Sequence, residues 1–160
     1  VALGGTFDHL HEGHRLLLTI AWAYATRRLY IGVTDDTMVR SKDYASLIQP
    51  LDTRIAQVQA FLQRLVQWNL LPSAPNLDIQ VNPIHDAYGT TDTDRDFSAL
   101  LVTHETFKGG EAVNDRRREN GLDPLTILVA DLVISVDATT KMSSTTLRSW
   151  MAKEKEKDSA

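Results

Sequence analysis

Two histidines three residues apart, His11 and His14, stand at the head of an apolar stretch, TFDHLHEGHRLLLTIA, which runs from Thr6 to Ala21. Positions i and i+3 share one face of a helix. The first turn of a helix also presents unpaired N–H groups and the positive end of the macrodipole, so the imidazoles and the backbone together form a small anion site. Gly4 and Gly5, just upstream, let the main chain approach a ligand closely, as phosphate-binding turns require. Two other readings exist: a solvated helix end or cap, and a zinc pair, for which no third and fourth ligand is evident. At the far end, Lys141 and Met142 lead into a run of hydroxyl residues that begins with Ser143, Ser144 and Thr145. Ordinary helix capping accounts for one of them.

These groups need elements to hold them. VALGG (Val1 to Gly5) reads as a short buried strand ending in a glycine turn, and Leu16, Leu17, Ile20 and Tyr24 then recur at helical spacing. RLYIGVT (Arg28 to Thr34) is a second short β-branched run, which a crossover helix places parallel to the first. Asp35 to Pro50 has no sustained period and reads as a loop with one helical turn. A helix follows from near Asp52, an N-cap type, with Ile55, Val58, Phe61 or Leu62, and Leu65 on one face. Leu77 to Ile84 alternates like a strand, His85 to Asp96 is a turn-rich polar loop, and Ala99 to Thr103 is another strand. Gly109 to Gly121 has helical character, yet Ala112 and Val113 are its only apolar residues, so no core face is expected there. Leu125 to Val136 holds one or two more strands. The last helix, Ser143 to Lys157, turns Leu147, Trp150 and Met151 inward. Trp22 and Trp68, like Trp150, sit on apolar faces and read as core or interface.

Strands alternating with helices give an α/β fold with a doubly wound, mainly parallel sheet of Rossmann-like topology. Ligands of such sheets bind beyond the carboxyl ends of the strands, at a switch in strand order. Gly4 to His14, Thr103 to Gly110 and Lys141 to Thr145 all follow predicted strands and converge at such a point.

Composition narrows the function. A chain of 160 residues with 42% hydrophobic and 24% charged content holds one domain with a proper core, and no run approaches the roughly 20 apolar residues of a membrane span. The formal charge of −4 argues against a nucleic-acid partner. With no cysteine, disulfides, thiolate metal sites and thiol nucleophiles are excluded. The opening on Val1, already strand-like and without the zones of a signal peptide, leads us to expect a single domain over residues 1–160 that is a segment of a longer chain.

GGTFDHLHEGH, with its His-x-Gly-His box, and KMSSTTLR resemble the paired signatures of the nucleotidyltransferase superfamily. GVTDD, Lys42, YASLIQPLDTR, the DAYGTTDTD loop and TFKGGEAVNDRRRENGLDPL resemble the archaeal and eukaryotic type of phosphopantetheine adenylyltransferase, over nearly the whole chain. The resemblance implies transfer of AMP from ATP to 4'-phosphopantetheine, giving dephospho-coenzyme A and pyrophosphate, in the cytoplasm, with magnesium accompanying ATP. Implied partners are these small molecules and other enzymes of coenzyme A synthesis. Because a phosphate monoester is already anionic, such a site needs no base, only placement of two anions and neutralisation of growing charge.

Carried over by position, the resemblance makes Thr6, His14 and Lys42 catalytic. His14 stabilises the transition state, while Thr6 and Lys42 meet the incoming phosphate. Gly5, Phe7, His11, His14, Lys108, Ser143, Ser144 and Thr145 fall on the ATP side; Asp8, Asp86 and Tyr88 join Thr6 and Lys42 on the phosphopantetheine side, with Asp92 in the same polar loop. Lys108 stands where the bacterial branch has an Arg-Gly-Leu-Arg run, and supplies a point charge in place of a fork. Asn114, Arg117 and Arg118 either close over the nucleotide or form a solvated charged face. The rivals are a cytidylyltransferase acting on a phosphorylated alcohol, whose second box is usually arginine-led, and a non-catalytic nucleotide-binding module. No Gly-x-x-x-x-Gly-Lys-Ser/Thr loop is present, so phosphorylation of dephospho-coenzyme A is not expected.

Overall fold

The computed structural model describes residues 1–68, 76–131 and 143–158. Strand β1 (Ala2–Gly5) leads into helix α1 (Glu12–Tyr24), strand β2 (Arg28–Thr34), a short helix α2 (Asp36–Val39) and the long helix α3 (Leu51–Trp68). Strands β3 (Asp78–Ile84) and β4 (Ala99–Thr103), helix α4 (Phe107–Glu119), strand β5 (Thr126–Ala130) and helix α5 (Ser144–Asp158) follow. The five strands lie in the order β3-β2-β1-β4-β5, and every pairing is parallel. From β1 the chain moves outward to β2 and β3, then returns to the other side of β1 as β4. The switch in strand order falls between β1 and β4.

Alternation along the strands separates two cores. Leu29, Ile31, Val33 and Leu101 face α1 and α3. Tyr30, Leu100 and Val102 face the opposite way, toward Val113 of α4. Helices thus cover both faces of the sheet, as a doubly wound fold requires. No helix among the described residues is long and apolar enough to cross a membrane.

Several local expectations are corrected. On α1 the buried stripe is Gly13, Leu17, Leu18, Ala21 and Trp22, while Leu16 and Tyr24 are exposed. The apolar run is continuous enough that spacing alone did not fix its face. Helix α3 begins one residue early, with the Arg54 N–H donating to the Pro50 carbonyl, so Asp52 lies in the first turn. Trp22 is core, but Trp68 and Trp150 are 61% and 48% exposed. Arg148, not Trp150, takes the inward place on α5. Helix α4 does have a core face, made by Gly110, Val113, Asn114 and Arg117. Two of those four are polar, which hid it. The expected strand residues from Leu132 to Val136, and Lys141, lie outside the described residues.

Candidate active site

The loop between β1 and α1 is the centre of the site. Phe7 and His9 both adopt the left-handed region, at φ 51° and 46°. For residues with a Cβ this costs about 1–2 kcal/mol each, so the surroundings must hold the loop. Asp8, between them, is fully buried and does so. Its carboxylate accepts from the Gln49 N–H at 2.9 Å and from Arg148 Nη1 at 2.7 Å, and its carbonyl accepts from Ser144 Oγ at 3.0 Å. The His9 N–H donates to Gln49 Oε1 at 2.8 Å. The resemblance places Asp8 on the phosphopantetheine side; here its carboxylate is buried and ion-paired with Arg148, and it is not among the residues that line the cavity of the site.

Behind the loop lies Arg54 of α3, wholly buried. Its Nη1 donates to the carbonyls of Thr6 at 3.0 Å and Thr34 at 2.6 Å, Nε to the Gln49 carbonyl at 2.8 Å, and Nη2 to Asp36 at 3.0 Å. One guanidinium ties together the carboxyl ends of β1 and β2. At the front, Lys42 Nζ reaches Thr6 Oγ1 at 2.9 Å, and Thr34 Oγ1 donates to the same oxygen at 3.1 Å. Partial burial and the nearby Arg148 and Arg54 push the Lys42 ammonium down from its ordinary range.

His11 caps α1: its Nδ1 accepts the Gly13 N–H at 3.2 Å, so the neutral ring carries its proton on Nε2. Burial lowers its proton affinity. His14, one turn on, stacks on His11 and tilts against Phe7, and burial, His11 and Lys42 push its pKa down to about 3. At ordinary pH both rings are neutral hydrogen-bonding groups, and the positive charge of the site comes from lysine and arginine. At the start of α5, Ser143 Oγ caps by accepting the Thr146 N–H at 3.2 Å, and Thr145 Oγ1 accepts from Arg148 Nη2 at 3.3 Å.

These parts surround one cavity of about 1010 Å³ above the β1/β4 switch. Its size lies at the upper end of the usual range for a ligand site, room enough for two substrates. Gly5, Thr6, Phe7, His11, His14, Lys42, Tyr88, Ser143, Ser144 and Thr145 all line it. The N-termini of α1 and α5 both open onto it. Lys108 is exposed and Asp86 is exposed, and neither is in the lining. Asp86 instead accepts the N–H groups of Tyr88 and Gly89, closing the turn in which Gly89 takes φ 55°. The Asp92 carbonyl accepts from Asn120 at 2.9 Å.

Asn114 and Arg117 fit neither of their expected readings. Asn114 is buried, donating to the Leu125 carbonyl at 2.9 Å and accepting the Leu125 N–H at 2.7 Å. Arg117, 1% exposed, donates to the carbonyls of Thr91, Asp94 and Asp123. Arg118 alone is solvated, paired with Asp115 at 2.6 Å. The residues that the sequence reading missed are Thr34, Arg54 and Arg148. For Arg54 a signal existed: it falls on the stripe of Val58, Phe61, Leu62 and Leu65, where a charge needs buried partners.

A Rossmann-like sheet with a His-x-Gly-His helix start and a second helix N-terminus over one cavity defines a nucleotidyltransferase-type domain. Residues 2–149 match the family model described as cytidylyltransferase-like, and the chain belongs to that family. Within it, the similarity runs to phosphopantetheine adenylyltransferases. That of Saccharomyces cerevisiae is 36% identical over 150 residues, covering 92% of this chain and 47% of the yeast protein. That of Thermococcus kodakarensis is 36% identical over 151 residues, covering 94% of this chain and 85% of the archaeal protein. The chain therefore spans about half the length of the yeast relative and most of the archaeal one. A crystal structure of a protein of unknown function from Archaeoglobus fulgidus matches with a TM-score of 0.69 at 30% identity, covering 88% of this chain and 93% of that one.

Proposed function

We propose that residues 1–160 form a single nucleotidyltransferase domain that transfers AMP from ATP to 4'-phosphopantetheine, as the names of its relatives suggest. The phosphate of 4'-phosphopantetheine attacks the α-phosphorus of ATP; a P–O bond forms there as the bond to the leaving pyrophosphate breaks, giving dephospho-coenzyme A. The observation that carries this reading is the placement of Lys42 on Thr6 in the same cavity as the stacked His11 and His14. Lys42 and Thr6 take the incoming phosphate. The His14 N–H meets charge developing on the attacked phosphoryl group, and His11 Nε2–H holds the ATP phosphates. Backbone N–H groups at the starts of α1 and α5 take the rest of the triphosphate.

No side chain needs to remove a proton, which agrees with two imidazoles that are neutral at ordinary pH. Among the described residues no group of three or more His, Asp or Glu is placed to hold a metal ion. Magnesium would accompany ATP, held by the nucleotide's phosphates and water. The setting we assign is cytoplasmic, with no nucleic-acid partner.

The test is pyrophosphate release with ATP, magnesium and 4'-phosphopantetheine, run beside CTP and with glycerol 3-phosphate as the alternative acceptor. Release confined to the first pair is expected. Release with CTP and glycerol 3-phosphate would assign a cytidylyltransferase instead, and tight ATP binding without release a binding module.

A further inference from the structure

We infer that Thr34 is a positioning residue that fixes the Thr6 hydroxyl as a hydrogen-bond donor toward the incoming phosphate. A threonine hydroxyl has one proton and two lone pairs. On Thr6 Oγ1 one lone pair receives Lys42 Nζ at 2.9 Å and the other receives Thr34 Oγ1 at 3.1 Å. Lysine is a donor only, so that contact has one direction. With both lone pairs occupied, the remaining Thr6 O–H has nothing to do but donate, and Thr6 lines the cavity. A phosphoryl oxygen is an acceptor only. The hydroxyl is thus set in advance for the one partner it must meet, with no reorientation on binding.

The geometry is held from behind by the same guanidinium. Arg54 Nη1 donates to both the Thr6 and the Thr34 carbonyls, so the two threonines are fixed relative to one another by main chain before their hydroxyls meet. The left-handed Phe7 that follows is 1% exposed, and its ring packs against His14. Thr34 sits at the last residue of β2, in register with Ile84 of β3, where neighbouring strands restrain it. Without the Thr34 hydroxyl, Thr6 could turn its proton toward solvent or toward position 34 and would present a lone pair to the phosphate in part of its population.

This inference rests on the reading of Thr6 and Lys42 as the phosphate-meeting pair. Thr34 also lines the cavity, so direct contact with substrate is the competing account. The experiment compares wild type with Thr34→Val, Thr34→Ser, Thr6→Val and the double variant Thr34→Val/Thr6→Val. Pyrophosphate release gives kcat and KM for each substrate, and calorimetry with inorganic phosphate gives binding.

Thr34→Val, similar in shape and at a strand end, should keep its melting temperature and lose about tenfold in kcat/KM for 4'-phosphopantetheine, with KM for ATP little changed. Thr34→Ser should stay within about twofold of wild type, because the hydroxyl is retained. In the Thr6→Val background the Thr34→Val change should cost nothing further. A full additional loss in that background would make Thr34 a direct substrate contact and overturn the positioning role, as would an unaffected Thr34→Val or a Thr34→Ser that fails to restore activity. If wild type itself releases no pyrophosphate, the functional reading fails separately. Inorganic phosphate binding across the same variants then decides the positioning role: weaker binding in Thr34→Val supports it, and equal binding overturns it.

Discussion

The imidazole rings of His11 and His14 stack with centroids 3.9 Å apart and planes 24° from parallel. Burial first, then repulsion from the stacked His11 ring and from Lys42, pushes His14 down to about 3. In the unfolded chain a histidine titrates near 6.5. Between those values the unfolded state holds a proton that the folded state lacks, so stability rises with pH and is lost as pH falls below about 6.5. His14 alone contributes a slope of up to about 1.4 kcal/mol per pH unit. Urea unfolding from pH 7 to 4.5 should therefore give a shallower dependence for His14→Gln than for wild type; parallel curves would refute a neutral His14.

The same residue has a kinetic signature. A neutral N–H that strengthens its bond as phosphoryl charge grows acts mainly in the transition state. His14→Ala should lower kcat by about 100-fold or more while changing the dissociation constant for ATP less than about threefold. Equal losses in both would mean that His14 binds ground-state ATP and does no more.

Asp8 and Arg148 form a buried pair, with side-chain exposures of 0% and 3%. Removing one member leaves an uncompensated interior charge. Asp8→Ala should destabilise the domain by about 3 kcal/mol or more, measured by urea unfolding. An Asp8→Ala protein of unchanged stability but weakened 4'-phosphopantetheine binding would return Asp8 to the substrate.

Arg117 differs in kind, since its partners are the three main-chain carbonyls of Thr91, Asp94 and Asp123. Arg117→Met deletes the charge along with the donors, so the loss is that of unpaired carbonyls, about 3 kcal/mol in all. The Michaelis constant for ATP should not move in the folded protein. A raised constant at unchanged stability would restore a role over the nucleotide.

The legible part of this molecule was the part carried by pattern. Strands β2 and β4 fall on the expected residues because β-branched runs bounded by turns leave little ambiguity, and the helix starts at His11 and Ser143 carry their own capping chemistry. What pattern could not reach was polarity turned inward. Asp8, Arg54, Asn114, Arg117 and Arg148 are residue types that composition sends to the surface, and only their partners, 3 to 140 positions away in the chain, explain why they are inside. For the same reason the pairing of Asp8 was hidden: nothing in GGTFDHLHEGH says that it is ion-paired with an arginine near the other terminus.

Arg54 holds Thr6 and Thr34 by their carbonyl oxygens, atoms that every amino acid possesses. The side chains at these two positions are therefore exchangeable without loosening the loop that carries them. Thr6 can be replaced by serine or cysteine, whose hydroxyl or thiol is attached to Cβ as the threonine hydroxyl is. For protein engineering this makes the loop a socket: new chemistry at position 6 can be tried at risk to activity but at little risk to the fold.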